Sequence, residues 1–312
     1  MLSRVAENIY WMGRNLERVE NGARLISVTK TMLLDLPICR AHPHFGWEQL
    51  VTITGNSELF HSLCQQSNES SVLAFLISQP DNHSSLLSSI TYARNNLRTI
   101  RDIFPREFWE SLNQLYLYIR EYADNGIETG HWDRFLRVVI RKCQELIGLL
   151  TGTLSRGTAF DFFRIGQHLE RADMTTRILD VRSSYLALHT SDGPFPFAQI
   201  QWLNLLRCVS GEQMYRRQIN PRITDIDVLS FLLRDRLFPR TFYYCMHEIA
   251  LALTTMVNST HPLEHVEQLK QMIEESDLSL LMQHGLSKFM DDLQLALGQL
   301  HQQIATTYFS RR

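Results

Sequence analysis

Hydrophobic residues recur along most of this chain at steps of three and four, the spacing of one face of an α-helix. Alternation with a period of two, which is typical of a β-strand, is scarce. Glycine and proline, which interrupt helices, number only 14 and 9. The pattern therefore predicts an all-α protein, an elongated multi-helix bundle in which two long helices form the core.

Turn-forming residues divide this pattern into predicted helices. The first long helix should run from about Ser3 to the mid-30s and end near Pro37. The second should begin after a break at residues 155–158 and continue to the high 180s. Ser57 and Ser70 stand just before two short helices and are interpreted as N-caps. The remaining helices are predicted at residues 47–55, 58–65, 71–78, 86–103, 106–123, 131–154, 202–217, 224–233, 239–257, 260–275, 276–285 and 287–308. Gly211 is a candidate interruption of the helix over 202–217.

The clearest interior linker is TSDGPFPF, residues 190–197, which holds one glycine and two prolines. A chain of 312 residues is long enough for one large domain or two ordinary ones. We predict a single helical domain over residues 1–312, with a candidate sub-boundary near 190–197.

One stretch of the first long helix recurs in the second. Residues 6–28 read AENIYWMGRNLERVENGARLISV, and residues 159–181 read AFDFFRIGQHLERADMTTRILDV. When Gly13 is aligned with Gly166, Leu-Glu-Arg meets Leu-Glu-Arg, and an acid and an arginine follow at the same spacing in both. Charged residues that match in two segments half a chain apart indicate an internal repeat.

On a helical wheel, the repeated residues form a narrow line beside the apolar face. Arg18 and Arg171 point to the opposite flank, the former near Trp11. A glycine inside a helix costs up to about 1 kcal/mol relative to alanine. Its recurrence therefore predicts the close approach of another backbone or a ligand. The line consists of Gly13, Glu17, Glu20 and Arg24 in the first copy, and of Gly166, Glu170, Asp173 and Arg177 in the second.

Two interpretations of this line remain open. Glu20 with Arg24, and Asp173 with Arg177, are four residues apart with the acid first, the favourable order for a helical ion pair. In one interpretation such pairs lock two packed helices together. In the other, the carboxylates and arginines form a polar site between the two long helices, suited to a zwitterionic or anionic ligand or to a partner. A di-metal centre is disfavoured, because neither copy has a histidine three residues after a glutamate and the arginines oppose a cation.

Composition excludes several classes of function. The net charge of −2 gives no electrostatic reason to expect a nucleic acid or an anionic membrane as partner. No run of about 18 apolar residues occurs, and the start of the chain lacks the apolar core of a signal peptide. The expected location is therefore cytoplasmic. The five cysteines lack the spacing of a metal site and are interpreted as reduced thiols.

Motifs for catalysis or cofactor binding are absent from the sequence, so no cofactor and no metal are expected. A group of arginines on either side of Pro221 and Pro239 is open to two interpretations. It forms either solvated turns that cap backbone carbonyls, or a surface for an anionic ligand or partner. Its members are Arg216, Arg217, Arg222, Arg234, Arg236 and Arg240.

The residues also carry a family resemblance. NIYWMGRNLERVENGARLI resembles the opening of the alpha-E proteins, a bacterial all-helical family named for its Glu-Arg motif. Three further stretches are similar in the same order, so the resemblance covers essentially the whole chain: 93–113, 150–173 and 228–246. The chain departs from the family at Gln167 and His168, where arginine is usual, and at Gly157 and Phe160, where an acid and a tryptophan are usual. Thr241 stands where the family has serine.

The resemblance implies a role beside two kinds of protein. Members of the resembled family look like neighbours or fusion partners of circularly permuted ATP-grasp proteins and of transglutaminase-like proteins. This association implies a system that makes or modifies peptides through amide bonds. We therefore expect a helical accessory or scaffold component that binds the ligase or its peptide or amino-acid substrate. The alternatives are an enzyme that uses Glu17 and Glu170 as acid and base, and a purely structural protein. A homo-oligomer is a further option. The candidate binding residues are Glu17, Arg18, Glu20, Arg24, Glu170, Arg171, Asp173, Arg177 and Arg240.

Overall fold

The structure, a computed structural model, describes residues 1–35, 46–125, 132–189 and 198–310. Within these ranges it contains 15 α-helices and no strand, which confirms the all-α prediction. The chain divides into two compact units, Met1–Gln167 and His168–Arg312. The candidate sub-boundary at 190–197 lies outside the described residues, and the single-domain prediction stays a prediction.

The first unit is organised around one long helix that packs on several shorter ones. Its helices are α1 (Ser3–Asp35), α2 (Trp47–Ile53), α3 (Ser57–Leu63), α4 (Glu69–Ile77), α5 (Leu86–Thr99), α6 (Arg106–Asn125), α7 (Trp132–Thr153) and the first turns of α8 (Thr158–His189). Helix α1 packs against α5 and α7, and α6 packs against the same two helices. Helices α1 and α5 run antiparallel, because Asn8 bonds to Thr99 near one end while Gly22 lies against Leu86 near the other.

The apolar stripe predicted for each long helix is buried. Every member is at most 3% exposed, so each stripe belongs to the hydrophobic core. The stripe of α1 consists of Ile9, Met12, Leu16, Val19, Ala23 and Ile26, and that of α8 consists of Phe162, Ile165, Leu169, Ala172, Thr176 and Leu179.

The second unit contains the rest of α8 and seven further helices. They are α9 (Ala198–Cys208), α10 (Glu212–Gln218), α11 (Asp225–Arg234), α12 (Phe242–Thr254), α13 (Thr260–Glu275), α14 (Leu278–Gln283) and α15 (Leu286–Tyr308). Helix α13 packs against α12 and α15, while α11 contacts α9, α12 and α14.

Two predicted helices are interrupted. The helix predicted over 86–103 ends at Thr99 and is followed by a 3₁₀ turn over Arg101–Ile103. The helix predicted over 202–217 breaks into α9 and α10 at Ser210, whose φ is 56°, next to the candidate interruption at Gly211. A left-handed backbone cannot continue a right-handed helix, so the chain changes direction there.

The two predicted serine caps are wrong. Ser57 is the first residue of α3 rather than its cap. Helix α4 begins before Ser70 and is capped by Asn68, whose side chain accepts a hydrogen bond from the backbone N–H of Ser71. The Ser71 hydroxyl accepts in return from the backbone N–H of Asn68, which completes a capping box.

The structure also bears on the cysteines and on membrane insertion. Cys143, Cys208 and Cys245 are buried free thiols, and Cys64 is a half-buried one. Cys39 lies outside the described residues. Across the described part of the chain, every helix is too short or too polar to cross a lipid bilayer.

Candidate functional site

The charged line of α1 is buried, not exposed. Glu17 is 1% exposed and Glu20 is 3% exposed. The Gln167 side-chain amide donates a hydrogen bond of 3.2 Å to Oε2 of Glu17. One turn further along α1, Arg24 donates to Glu20 at 2.5 Å and is itself only 12% exposed. The carboxylates of this copy are therefore held inside the first unit by side-chain donors.

This burial determines what the acids can do. Removing an ionised carboxylate from water costs several kcal/mol unless it is paired, and breaking a buried pair costs about 3 to 5 kcal/mol. Glu20 meets that condition through Arg24. For the first copy, the geometry therefore agrees with the interpretation that paired ions lock the helix in place.

Gly13 lies where α1 crosses α8. A Cβ atom added to Gly13 would stand 3.2 Å from the backbone nitrogen of Gln167 and closer than 3.0 Å to the carbonyl oxygen of Phe163. No side chain fits between two backbones at that separation. The close approach predicted from the recurring glycine is thus confirmed, and the neighbour is the backbone of the other long helix.

Gly166 makes the reciprocal contact. A Cβ added there would stand 3.3 Å from the backbone nitrogen of Arg14 and closer than 3.0 Å to the carbonyl oxygen of Tyr10. Tyr10 and Arg14 align with Phe163 and Gln167 when the two glycines are aligned. The glycine of each long helix therefore packs against the backbone of the turn that precedes or follows the glycine of the other.

The second copy of the charged line belongs to the second unit and is less uniformly buried. Glu170 is 3% exposed. Asp173 accepts a hydrogen bond of 2.9 Å from Nε of Arg177, but these two side chains are 19% and 32% exposed. The predicted ion pair is present in both copies, and water reaches the second more readily.

Helix α8 bonds to the turn before α12 through the side chains of Arg171 and Thr175. Nη1 of Arg171 donates to the carbonyl oxygen of Pro239 at 3.2 Å, and the Thr175 hydroxyl donates to the carbonyl oxygen of Arg240 at 3.1 Å. Thr241 then caps α12 by accepting from the backbone N–H of Tyr244. Serine and threonine both carry the hydroxyl that makes this cap.

His168 occupies a position where the family usually has arginine. Its Nε2 lies 3.8 Å from a carboxylate oxygen of Glu248, and its ring centroid lies 6.0 Å from that of Tyr244. With a side chain 7% exposed, His168 packs against α12. Gln167 and His168 thus each lie close to a carboxylate, of Glu17 and of Glu248 respectively.

Arg18 lies on another flank of α1 and borders a cavity of about 400 Å³ in the first unit. Trp11 borders the same cavity, as the helical wheel predicts for these two residues. The other lining residues were missed by sequence reasoning: Asn15, His83, Tyr92 and Asn96. The spacing of Trp11, Asn15 and Arg18 on one helix face was a signal for the α1 side, but nothing in the sequence pairs α1 with α5.

The basic group around Pro221 and Pro239 acts partly as carbonyl caps. Arg234 donates to the backbone carbonyls of Ile273, Glu274 and Ser276, at the end of α13. Arg216 donates to the carbonyl of Pro221 at 2.8 Å. For these two arginines the capping interpretation is confirmed, because cations and N–H donors satisfy the free carbonyls of helix ends and turns.

Among the described residues, no group of three or more histidine, cysteine or acidic side chains is arranged to hold a metal ion. His261 and His265 border a cavity of about 670 Å³ formed by α13 and α15. His265 bonds to the Ala296 carbonyl at 3.0 Å, and His261 lies 3.5 Å from Glu264. These two histidines serve local contacts on and between helices.

A family model matches residues 1–309, and its family is described as a predicted alpha-helical domain with a conserved ER motif. The chain belongs to the Alpha-E family. Its two Glu-Arg dipeptides are Glu17–Arg18 and Glu170–Arg171, and both glutamates are buried members of the charged lines of α1 and α8. The adjacent arginines take different surroundings, one at a cavity and the other at a turn.

The curated relatives of this Alpha-E chain are longer proteins. Uncharacterised proteins of Mycobacterium bovis and Mycobacterium tuberculosis are 23% identical over 301 residues, which make up 90% of this chain and 32% of theirs. The chain thus spans about a third of the length of the curated relatives it matches. No solved structure matches it.

Proposed function

We propose that this Alpha-E chain is a helical accessory or scaffold component of a system that makes or modifies peptides through an ATP-grasp amide ligase. In this proposal it binds the ligase or its peptide or amino-acid substrate through the polar residues of the two Glu-Arg helices. Membership of the family supports a helical component. The greater length of the mycobacterial relatives supports a domain that works beside others in one polypeptide.

The observation that carries a binding role over a catalytic one is the burial of the motif acids. A general base must come within hydrogen-bond reach of the proton that it removes from the substrate. Glu17, Glu20 and Glu170 are at most 3% exposed, and described donors already bond to Glu17 and Glu20. These acids are placed to fix the helices that carry Arg18 and Arg171.

The partner is tested by copurification. The full chain, carrying an affinity tag, is coexpressed with the ATP-grasp protein of the same genome, and separately with its transglutaminase-like protein. We expect the ATP-grasp protein to copurify, and to do so equally with Glu170→Asp, which keeps the charge. Failure of the native chain to retain it at low salt would contradict binding of the ligase, the first form of the proposal.

The alternatives are separated by Glu17→Gln and Glu170→Gln, which keep the shape of each side chain and remove its charge. An enzyme would lose peptide-bond formation in the reconstituted system while its melting temperature stayed unchanged. A purely structural motif would lose several degrees in melting temperature together with ligase binding. The scaffold proposal expects native ligase retention by each variant that remains folded.

A further inference from the structure

The cavity beside Arg18 has the composition of a small binding site. Helix α1 contributes Trp11, Asn15 and Arg18, helix α5 contributes Tyr92 and Asn96, and the turn before α5 contributes His83. Its volume of about 400 Å³ lies within the usual range for small-molecule pockets. All six residues belong to the first unit.

The charge of the lining favours an anion. Arg18 supplies a guanidinium with five N–H donors in a planar fork, a geometry that matches a carboxylate. None of the six lining residues is acidic, and Arg18 gives the lining a positive charge. Asn15 and Asn96 add amide groups that bond to the polar edge of a ligand.

The aromatic part of the lining is held in place by its neighbours. The guanidinium of Arg14 lies 5.1 Å from the ring centroid of Trp11, and the Tyr10 ring meets that indole edge-on at 5.7 Å. Nδ1 of His83 and the hydroxyl of Tyr92 share a hydrogen bond of 2.8 Å. Rings fixed in this way offer a flat apolar wall at little cost in side-chain entropy.

Asn15 joins the polar and aromatic parts. Its side-chain amide donates to the Trp11 carbonyl at 2.8 Å, and the residue is only 4% exposed. An asparagine amide carries a second N–H and a carbonyl oxygen besides the N–H in this bond. The wall therefore combines a cation, a fixed amide and aromatic rings on one small surface.

We propose that this cavity binds the carboxylate of a small molecule or peptide end that carries an aromatic or similarly flat group. Arg18 holds the carboxylate, and Trp11 and Tyr92 cover the flat group. The inference rests on the proposed binding role and gives its substrate class. It requires no ligase for its test, so failure of copurification and failure of this pocket are separate outcomes.

The probe is N-acetyl-L-phenylalanine, measured against the full chain by saturation-transfer NMR and calorimetry. Its uncharged amide, N-acetyl-L-phenylalanine amide, is the matched control for the carboxylate. N-acetyl-L-alanine is the control for the ring. We expect each control to bind about tenfold or more weakly, because the first loses the charged hydrogen bonds and the second loses the apolar contact.

Three variants test whether the probe binds in this cavity. Arg18→Gln should lower the affinity for N-acetyl-L-phenylalanine about tenfold and leave the affinity for its amide unchanged. Arg98→Gln, an exposed arginine on α5 that does not line the cavity, should bind as the native chain does. Tyr92→Ala removes a side chain that is 39% exposed, so it should weaken the probe without unfolding the protein.

The proposal would be overturned if N-acetyl-L-phenylalanine and its amide bound with equal affinity, or if Tyr92→Ala bound the acid as tightly as the native chain does. It would also be overturned if the acid did not bind at millimolar concentration. If Arg18→Gln fails to fold, the proposal is still tested by the affinities of the native chain for the acid and the amide, and by the binding of the acid to Tyr92→Ala. A short peptide ending in a free phenylalanine carboxylate identifies the source. Its binding supports a peptide end, and its exclusion while the acetylated amino acid binds supports a free amino-acid derivative.

Discussion

Gly13 and Gly166 make reciprocal contacts across one helix crossing, each lying against the backbone that surrounds the other. Gly13 faces the carbonyl oxygen of Phe163, and Gly166 faces the carbonyl oxygen of Tyr10. The backbones approach so closely that a Cβ at either position would overlap a carbonyl group. The crossing therefore fixes the position of α1 against the start of α8.

Replacing either glycine of the crossing with alanine should destabilise the protein. Gly13→Ala and Gly166→Ala each force a methyl group against main-chain atoms that cannot move aside, which should cost about 1 to 3 kcal/mol or more of unfolding free energy. Urea denaturation followed by circular dichroism measures the loss.

A matched control for the crossing is Gly148→Ala in α7. An added Cβ meets nothing within 4 Å there, so this variant should gain up to about 1 kcal/mol from helix propensity alone. If the crossing variants behaved like the control, the close approach would not determine the choice of glycine.

The two ion pairs of the charged lines should differ in strength. The Glu20–Arg24 pair is 3% and 12% exposed, whereas the Asp173–Arg177 pair is 19% and 32% exposed. Glu20→Gln should therefore cost about 3 kcal/mol of unfolding free energy, because it leaves a nearly buried guanidinium without its carboxylate. Asp173→Asn should cost less than about 1 kcal/mol.

Chemical denaturation of both variants, at low and high salt, checks this difference. High salt should reduce only the Asp173 contribution, because solvent screens the more exposed pair. Equal losses in the two variants would show that burial does not set the strength of these pairs.

Thr241 should tolerate serine but not valine. Its hydroxyl accepts from the backbone N–H of Tyr244 and donates to the carbonyl oxygen of Asp235, and the residue is fully buried. Thr241→Ser keeps both bonds. Thr241→Val keeps the shape and should lose about 1 to 2 kcal/mol. Melting temperatures of both variants test the cap, and a stable valine variant would exclude it.

Glu212 should make the second unit sensitive to acid. Burial raises the pKa of this carboxyl, but hydrogen bonds and charge from Arg207 and Arg216 outweigh burial and hold the pKa below its ordinary value. The native state then binds fewer protons than the unfolded state near that ordinary value. The contribution of Glu212 is complete above the unfolded pKa and is lost as pH falls through the folded pKa.

The variant Glu212→Gln isolates this effect. At neutral pH it should unfold more easily than the native chain, and the difference should disappear as pH falls through the lowered pKa of the folded-state carboxyl. Unfolding free energies measured by urea at several pH values provide the comparison. A difference that stayed constant with pH would assign the loss to packing rather than to charge.

Much of the fold follows from local pattern. The first helix was predicted to start at Ser3 and to end near Pro37, and α1 covers Ser3–Asp35. The buried stripes and both i,i+4 ion pairs follow from helical periodicity alone. The caps were harder, because several polar side chains stand at each helix start. Asn68 was chosen over Ser70 by where the helix begins.

The candidate site also contains residues that the sequence predicted and residues that it did not. Sequence placed Arg18 and Trp11 on one flank of α1, since residues seven positions apart share a helix face. Tyr92 and Asn96 could not be assigned to that flank, because the cavity depends on the packing of α5 against α1. Likewise, the sequence did not predict the hydrogen bond from Gln167 to Glu17. Gln167 departs from the family pattern, and its partner lies on the other long helix.

By itself, the sequence determined that the protein is all-helical and which faces of α1 and α8 are apolar, and it predicted that a backbone or a ligand lies close to the recurring glycine, because these features depend on spacing along one helix. The tertiary structure alone decided what lies across each face. It showed that Gly13 meets the backbone of α8, that Glu17 is buried and accepts a hydrogen bond from Gln167, and that Arg18 borders a cavity. Contacts between distant segments depend on how whole helices pack, which local periodicity does not encode.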